Sequence, residues 1–132
     1  MEYIAGGNLM DMIVERKSRG EGPLSIDNVC DYFRQMLDAV IYIHGQGIVH
    51  CDLKPDNMLL DKGFVKIIDF GVAHDADTMY ELKTGTPEYY APEMIKGKTQ
   101  GEMEPYYGVP GEGVPGLHVK KSRDMWCLGV IL

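Results

Sequence analysis

The chain has 132 residues, 45% of them hydrophobic, with 13 basic and 20 acidic side chains and a formal net charge of −7. That length is enough for one domain with a core, and the apolar content excludes an intrinsically disordered chain. The negative balance argues against nonspecific nucleic-acid or anionic-membrane binding, and no apolar run approaches the roughly 18 residues of a membrane span. Three cysteines without a C-x-x-C pair fit free thiols in a reducing compartment better than a disulfide framework or a zinc site. The expectation is an intracellular, cytoplasmic domain, with the nucleus left open.

In chain order, residues 1–4 read as extended and end at Ala5-Gly6-Gly7. Asn8 is placed to cap a short helix with Leu9, Met12 and Ile13 on one side, and Gly20-Glu21-Gly22-Pro23 breaks the chain after it. A long helix is expected over 25–44: Ser25 is its cap, and Val29, Phe33, Met36, Leu37, Val40 and Ile43 recur at helical period. Gly45-Gln46-Gly47 stops it. Met58-Leu59-Leu60 and Val65-Lys66-Ile67-Ile68, separated by Asp61-Lys62-Gly63, predict a β-hairpin, and Ile48-Val49 precedes it as another short apolar run. Residues 74–84 are polar, and a small helix is expected from Pro92. The glycine- and proline-rich stretch 97–122 reads as a loop, and residues 125–132 as a buried helix that the chain leaves partway. The order indicates a mixed α+β domain.

The polar residues fall at ordered places between these segments. Asp52, Lys54 and Asn57 lie within six residues, and Asp69 follows the hairpin. Magnesium prefers hard oxygen ligands, one or two carboxylates plus phosphate oxygens, and Asn57 and Asp69 carry such donors. Lys54 can offset charge on a transferring phosphoryl group, and Asp52 can accept a hydroxyl proton. Alone, each residue reads as part of a solvated loop; together they read as a phosphate-and-magnesium site.

His50-Cys51-Asp52-Leu53-Lys54-Pro55-Asp56-Asn57 resembles the catalytic loop of eukaryotic protein kinases, H-R-D-L-x-x-x-N, while Asp69-Phe70-Gly71 and Ala91-Pro92-Glu93 resemble their D-F-G and A-P-E. Gly85-Thr86-Pro87-Glu88-Tyr89-Tyr90 and the Lys54 of Asp-Leu-Lys-Pro are similar to the serine/threonine branch. The resemblance implies a mainly helical large lobe with a small β-hairpin, truncated at both ends: hinge 1–8, catalytic loop 48–57, activation segment 69–93, loop insertion 97–122 and the start of the central helix at 123–132. It implies ATP and Mg2+ as cofactors and a protein substrate with a Ser or Thr acceptor. Asp52 would be the catalytic base, Lys54 would contact the γ-phosphate, and Thr86 would bond near both; Asn57 and Asp69 would hold magnesium. Backbone groups of Glu2 and Ile4 would meet adenine, Leu59 would pack beneath it, and Asn8 would stand where relatives carry an acidic residue touching ribose. His50 and Phe70 would be buried parts of a hydrophobic spine, and Asp124 would receive amides of the catalytic loop. Asp56 and Glu88 lie where acidic groups in some relatives select basic flanks in the substrate.

Two departures stand out. Cys51 occupies the usual Arg position, and a thiol cannot make a bidentate phosphate contact; Leu82 stands where phosphate-switched relatives often carry Thr. Activity independent of phosphorylation there is the expectation, and Cys51 reads as a small buried hydrophobe rather than a redox sensor. No G-x-G-x-x-G and no V-A-I-K-like stretch occur in the chain, so the 132 residues are expected to be inactive by themselves. A catalytically silent kinase-like interaction module is the alternative, and a magnesium-dependent phosphate hydrolase a third reading. The 97–122 loop is longer than the resemblance leads one to expect, as a solvated insertion or a partner-docking loop.

Overall fold

The computed structural model describes residues 6–76, 85–92, 96–98, 102–104 and 121–132. Helix α1 (Leu9–Ser18) begins at Asn8, whose Oδ1 accepts the Asp11 N–H at 2.7 Å. Helix α2 (Ile26–Gly45) begins at Ser25, whose Oγ accepts the Asn28 N–H at 3.3 Å. Both caps satisfy donors that a helix start leaves unpaired. The α2 stripe faces inward as its spacing requires: Met36 and Val40 are buried, while Ile26, Ile41 and Tyr42 on other faces are exposed. After α2 the chain reverses at Gly47, where a φ of +78° favours glycine.

Strand β1 (Ile48–Val49) is followed by the loop 50–57, which closes in a single 3-10 turn at Pro55–Asn57. Strands β2 (Met58–Asp61) and β3 (Phe64–Ile67) form the expected hairpin, with Met58 opposite Ile67 and Asp61 opposite Phe64. Its two-residue turn has Lys62 at φ +51° and Gly63 at φ +87°, the left-handed pair that matches strand twist. From α2, Gln35 clamps this turn: its Nε2 donates to Gly63 O at 3.1 Å and its Oε1 accepts the Val65 N–H at 2.9 Å.

Strand β4 (His74–Asp75) returns to pair antiparallel with β1, Ile48 opposite Asp75 and Val49 opposite His74. The polar composition of 74–84 hid this strand, because two paired residues need backbone groups and no apolar pattern. The same reason corrects part of the expected 97–122 loop: β5 (Lys96–Lys98) and β6 (Glu102–Glu104) pair antiparallel, with Gly97 opposite Met103. The rest of that loop up to Lys121, and the small helix expected beyond Pro92, lie outside the described residues. Helix α3 (Lys121–Ile131) ends the fold.

The core joins Leu9, Met36, Val40, Leu53, Met58, Cys127 and Leu128, contributed by all three helices, the 50–57 loop and β2. A second cluster packs Val49 and Cys51 against Val72 and Ala76. Ile13, expected on the buried side of α1, is 42% exposed. Only Leu9 of α1 is buried, so the helix meets the core by its first turn and its second turn projects past it. Helix α3, expected to be buried, hides Arg123, Asp124, Cys127 and Leu128 but leaves Met125, Trp126 and Val130 exposed. No helix among the described residues is long and apolar enough to cross a membrane.

Candidate active site

The 50–57 loop is held from below by α3. The Asp124 carboxylate, fully buried, accepts the His50 N–H at 2.9 Å on Oδ2 and the Cys51 N–H at 3.0 Å on Oδ1, and His44 Nε2 approaches Oδ2 at 2.8 Å. A buried carboxylate needs such partners to stay buried. The expected structural role of Asp124 is thus visible as geometry. His44, at the last turn of α2, joins it without having been singled out in the sequence. Cys51 sits at φ +69°, a left-handed backbone that costs a non-glycine residue about 1–2 kcal/mol and here turns the loop so that Asp52 leaves the core. Leu53, fully buried, anchors the next step. His50 is also fully buried; its Nδ1 accepts the Asp52 N–H at 3.2 Å and its Nε2 donates to Ile68 O at 2.9 Å. These partners assign the proton to Nε2 and tie the loop to the chain just before Asp69.

Above this base the polar side chains converge. Thr86 Oγ1 donates to Asp52 Oδ1 at 2.7 Å, Lys54 Nζ donates to Thr86 Oγ1 at 2.7 Å, and Lys54 Nζ lies 3.1 Å from Asp52 Oδ2. Asn57 Nδ2 donates to Asp52 O at 2.9 Å and to Asp52 Oδ2 at 3.2 Å. The folding of residues 85–90 onto the loop therefore brings Thr86 to a group far behind it in the chain. Gly85 makes that approach possible. It has φ +99°, and a Cβ there would lie 2.5 Å from Cys51 O and 2.8 Å from Arg123 Nη2. No residue but glycine fits that gap without moving backbone.

Asp69 has φ +63°, and its Oδ1 accepts the Gly71 N–H at 3.2 Å. The Ile68 N–H donates to Asn57 O at 3.0 Å, which sets the two expected metal ligands on adjoining strands of backbone. Among the described residues no group of three or more His, Cys, Asp or Glu could close around a metal ion. The donor set is open instead: a carboxylate, and an amide oxygen whose Nδ2 is engaged with Asp52. Such a set fits a hard cation completed by phosphate oxygens.

Of the residues expected on a nucleotide, Asn8 and Leu59 form an isolated antiparallel bridge, and the Leu60 N–H donates to Gly7 O at 3.0 Å. Gly6 passes so close that a Cβ there would overlap Leu60 O. Asn8 and Leu59 are brought together, with the Asn8 Oδ1 already used as a helix cap. Glu2 and Ile4 lie outside the described residues, as do Leu82 and Glu93. Phe70, expected to be buried, is 43% exposed and meets the His50 ring edge-on at 4.8 Å.

The sequence reading passed over Arg123, which is 9% exposed and donates from Nη2 to Cys51 O at 2.8 Å. Its spacing was the available signal: positions 123, 124, 127 and 128 share one helical face, so a charge pair heads the buried side of α3.

Residues 1–132 match the protein kinase domain family; the chain belongs to that family. It is 38% identical to death-associated protein kinase 2 of Homo sapiens, over 99% of this chain and 31% of the relative. It is 36% identical to CBL-interacting protein kinase 9 of Oryza sativa subsp. japonica, over 100% of this chain and 25% of the relative. With serine/threonine-protein kinase GIN4 of Saccharomyces cerevisiae the identity is 38%, over 100% of this chain and 10% of the relative. The chain thus spans less than a third of the length of each of these curated relatives.

Proposed function

We propose that the protein to which this chain belongs is an ATP-dependent serine/threonine kinase, and that the described residues form the floor of its active site in the large lobe. The observation that carries this reading is the Asp52–Thr86–Lys54 bond set, at 2.7, 2.7 and 3.1 Å. Asp52 orients the acceptor hydroxyl and takes its proton, and Thr86 holds that carboxylate at the edge where a Ser or Thr acceptor would enter. Lys54 reaches both and carries the charge that a γ-phosphate needs beside it. Asn57 and Asp69 would hold magnesium, which when bound with ATP neutralises the phosphate oxygens and keeps them in line. Asn8 and Leu59, with backbone groups of Glu2 and Ile4, are assigned to ribose and adenine; the Asn8 cap leaves its Nδ2 for the ribose hydroxyl.

A basic target sequence is supported by the acidic groups around Tyr89. Burial first, then Asp56 and Glu88, push its hydroxyl pKa up, and both carboxylates are exposed. Independence from phosphorylation at position 82 is supported by Cys51, which is 1% exposed and whose thiol makes no bidentate phosphate contact; phosphatase treatment that abolished activity would count against it.

The test is phosphoryl transfer to Ser/Thr peptides by the full-length protein and its Asp52→Asn variant. The variant is expected to lose at least about 100-fold in kcat, the usual lower range for removing a general base, with nucleotide binding retained. A wild type that binds nucleotide but transfers nothing would favour a silent interaction module.

A further inference from the structure

Consecutive residues of α3 grip both polar sides of one peptide segment: Asp124 takes the Cys51 N–H at 3.0 Å, and Arg123 Nη2 donates to Cys51 O at 2.8 Å. The Arg123 guanidinium also lies 6.0 Å from the centre of the Tyr90 ring, at the outer reach of a cation–π contact. Gly85 runs beside the Arg123–Cys51 bond: its Cβ position is 2.8 Å from Arg123 Nη2 and 2.5 Å from Cys51 O. One buried cation therefore touches the catalytic loop and both ends of the 85–90 segment. The residue next to Gly85 is Thr86, which donates to Asp52 at 2.7 Å.

We propose that Arg123 is a positioning residue: from α3 it fixes the 85–90 segment against the catalytic loop, and so sets the Thr86–Asp52 contact that seats the acceptor hydroxyl. Position 51, the loop's usual place for a cation, holds a thiol here, and the cation comes instead from a neighbouring helix. A guanidinium suits this place because it is planar, donates in several directions and stays charged when buried. Its charge is felt in the same place: it lowers the pKa of both the Cys51 and Cys127 thiols against the larger effect of burial. This inference deepens the kinase reading and rests on it for the role of Asp52, though the docking of the segment is independent of activity.

The experiment uses the full-length protein with Arg123→Ala, Arg123→Lys, Thr86→Ala and the double variant Arg123→Ala/Thr86→Ala. Hydrogen–deuterium exchange is expected to rise in peptides covering 48–57 and 85–92 of Arg123→Ala, and to stay at wild-type level in α1. In kinetics, Arg123→Ala is expected to lower kcat for peptide phosphorylation about tenfold, with KM for ATP within twofold of wild type. The double variant should be no slower than Thr86→Ala alone, the non-additivity of residues acting through one contact. Arg123→Lys keeps the charge and N–H donors but not the planar fork, and should recover part of kcat, which also covers the case of an Ala variant that does not fold. Unchanged exchange over 85–92, or effects of Arg123 and Thr86 that multiply, would overturn the proposal. A wild type without phosphoryl transfer would sink the kinase reading, and the exchange data would still decide whether Arg123 docks the segment.

Discussion

Two of the three thiols, Cys51 and Cys127, are packed where a thiolate would face apolar neighbours and carboxylates, whereas Cys30 is exposed. Burial first, then Asp124 and Asp52, push each of the two from an ordinary 9.0 up to about 11, with Arg123 partly opposing. A buried thiol of this kind is inert, in keeping with Cys51 as a small hydrophobe and not a redox sensor. The same shift has a consequence for stability. The folded state holds these protons more tightly than the unfolded chain, so stability is fully present below pH 9 and falls as pH rises from 9 to 11. Urea unfolding at pH 8, 9.5 and 11 is expected to show this decline, on the order of 2 kcal/mol per thiol. A Cys51→Ala/Cys127→Ala variant should have a flatter profile over that interval. Equal slopes in variant and wild type would show that other groups govern alkaline stability. At pH 8, an alkylating reagent should label Cys30 in the native protein and reach the other two only on unfolding.

At the scale of elements, α2 is the beam on which the site is built. Its Met36 and Val40 are 3% and 0% exposed and pack with Leu53 of the loop, Met58 of β2 and Leu128 of α3. The loop's anchor and the hairpin that carries Asn57 toward Asp69 both rest on this stripe. Met36→Ala is expected to cost about 2–5 kcal/mol, the range for truncating a buried side chain that leaves a cavity. Urea denaturation checks this; a loss under about 1 kcal/mol would mean that the neighbours close the space and that α2 is less central than its burial says. The helix, its cap and the hairpin were legible because each rests on local rules: a 3.6-residue apolar period, a Ser at the start, a Lys-Gly turn. Strands β4 and β5–β6 were not, because two- and three-residue ladders leave too short a pattern to read.

For the molecule as a whole, α3 divides its surface between two tasks. One face buries Arg123, Asp124, Cys127 and Leu128, and the other presents Met125, Trp126 and Val130 at 44–46% exposure. An apolar face of this kind favours association. The 132-residue chain by itself is expected to self-associate at micromolar concentration in sedimentation velocity, with Trp126 emission moving to shorter wavelength as association proceeds; Met125→Lys/Trp126→Lys should reduce both. A monomer at all concentrations would remove that expectation. The sequence alone determined the identity and order of the polar groups, since chemistry such as that of Asp52, Lys54, Asn57 and Asp69 depends on residue type and on spacing within a motif. It also determined the starts of α1 and α2 and the hairpin, through local capping and turn geometry. The resemblance expected Thr86 near Asp52, but only the tertiary structure decided which atoms bond, that Gly85 runs beside the Arg123–Cys51 bond, and that Phe70 meets the His50 ring edge-on. Those are contacts between distant segments, set by how α2, α3 and the loop pack, and no local periodicity encodes them.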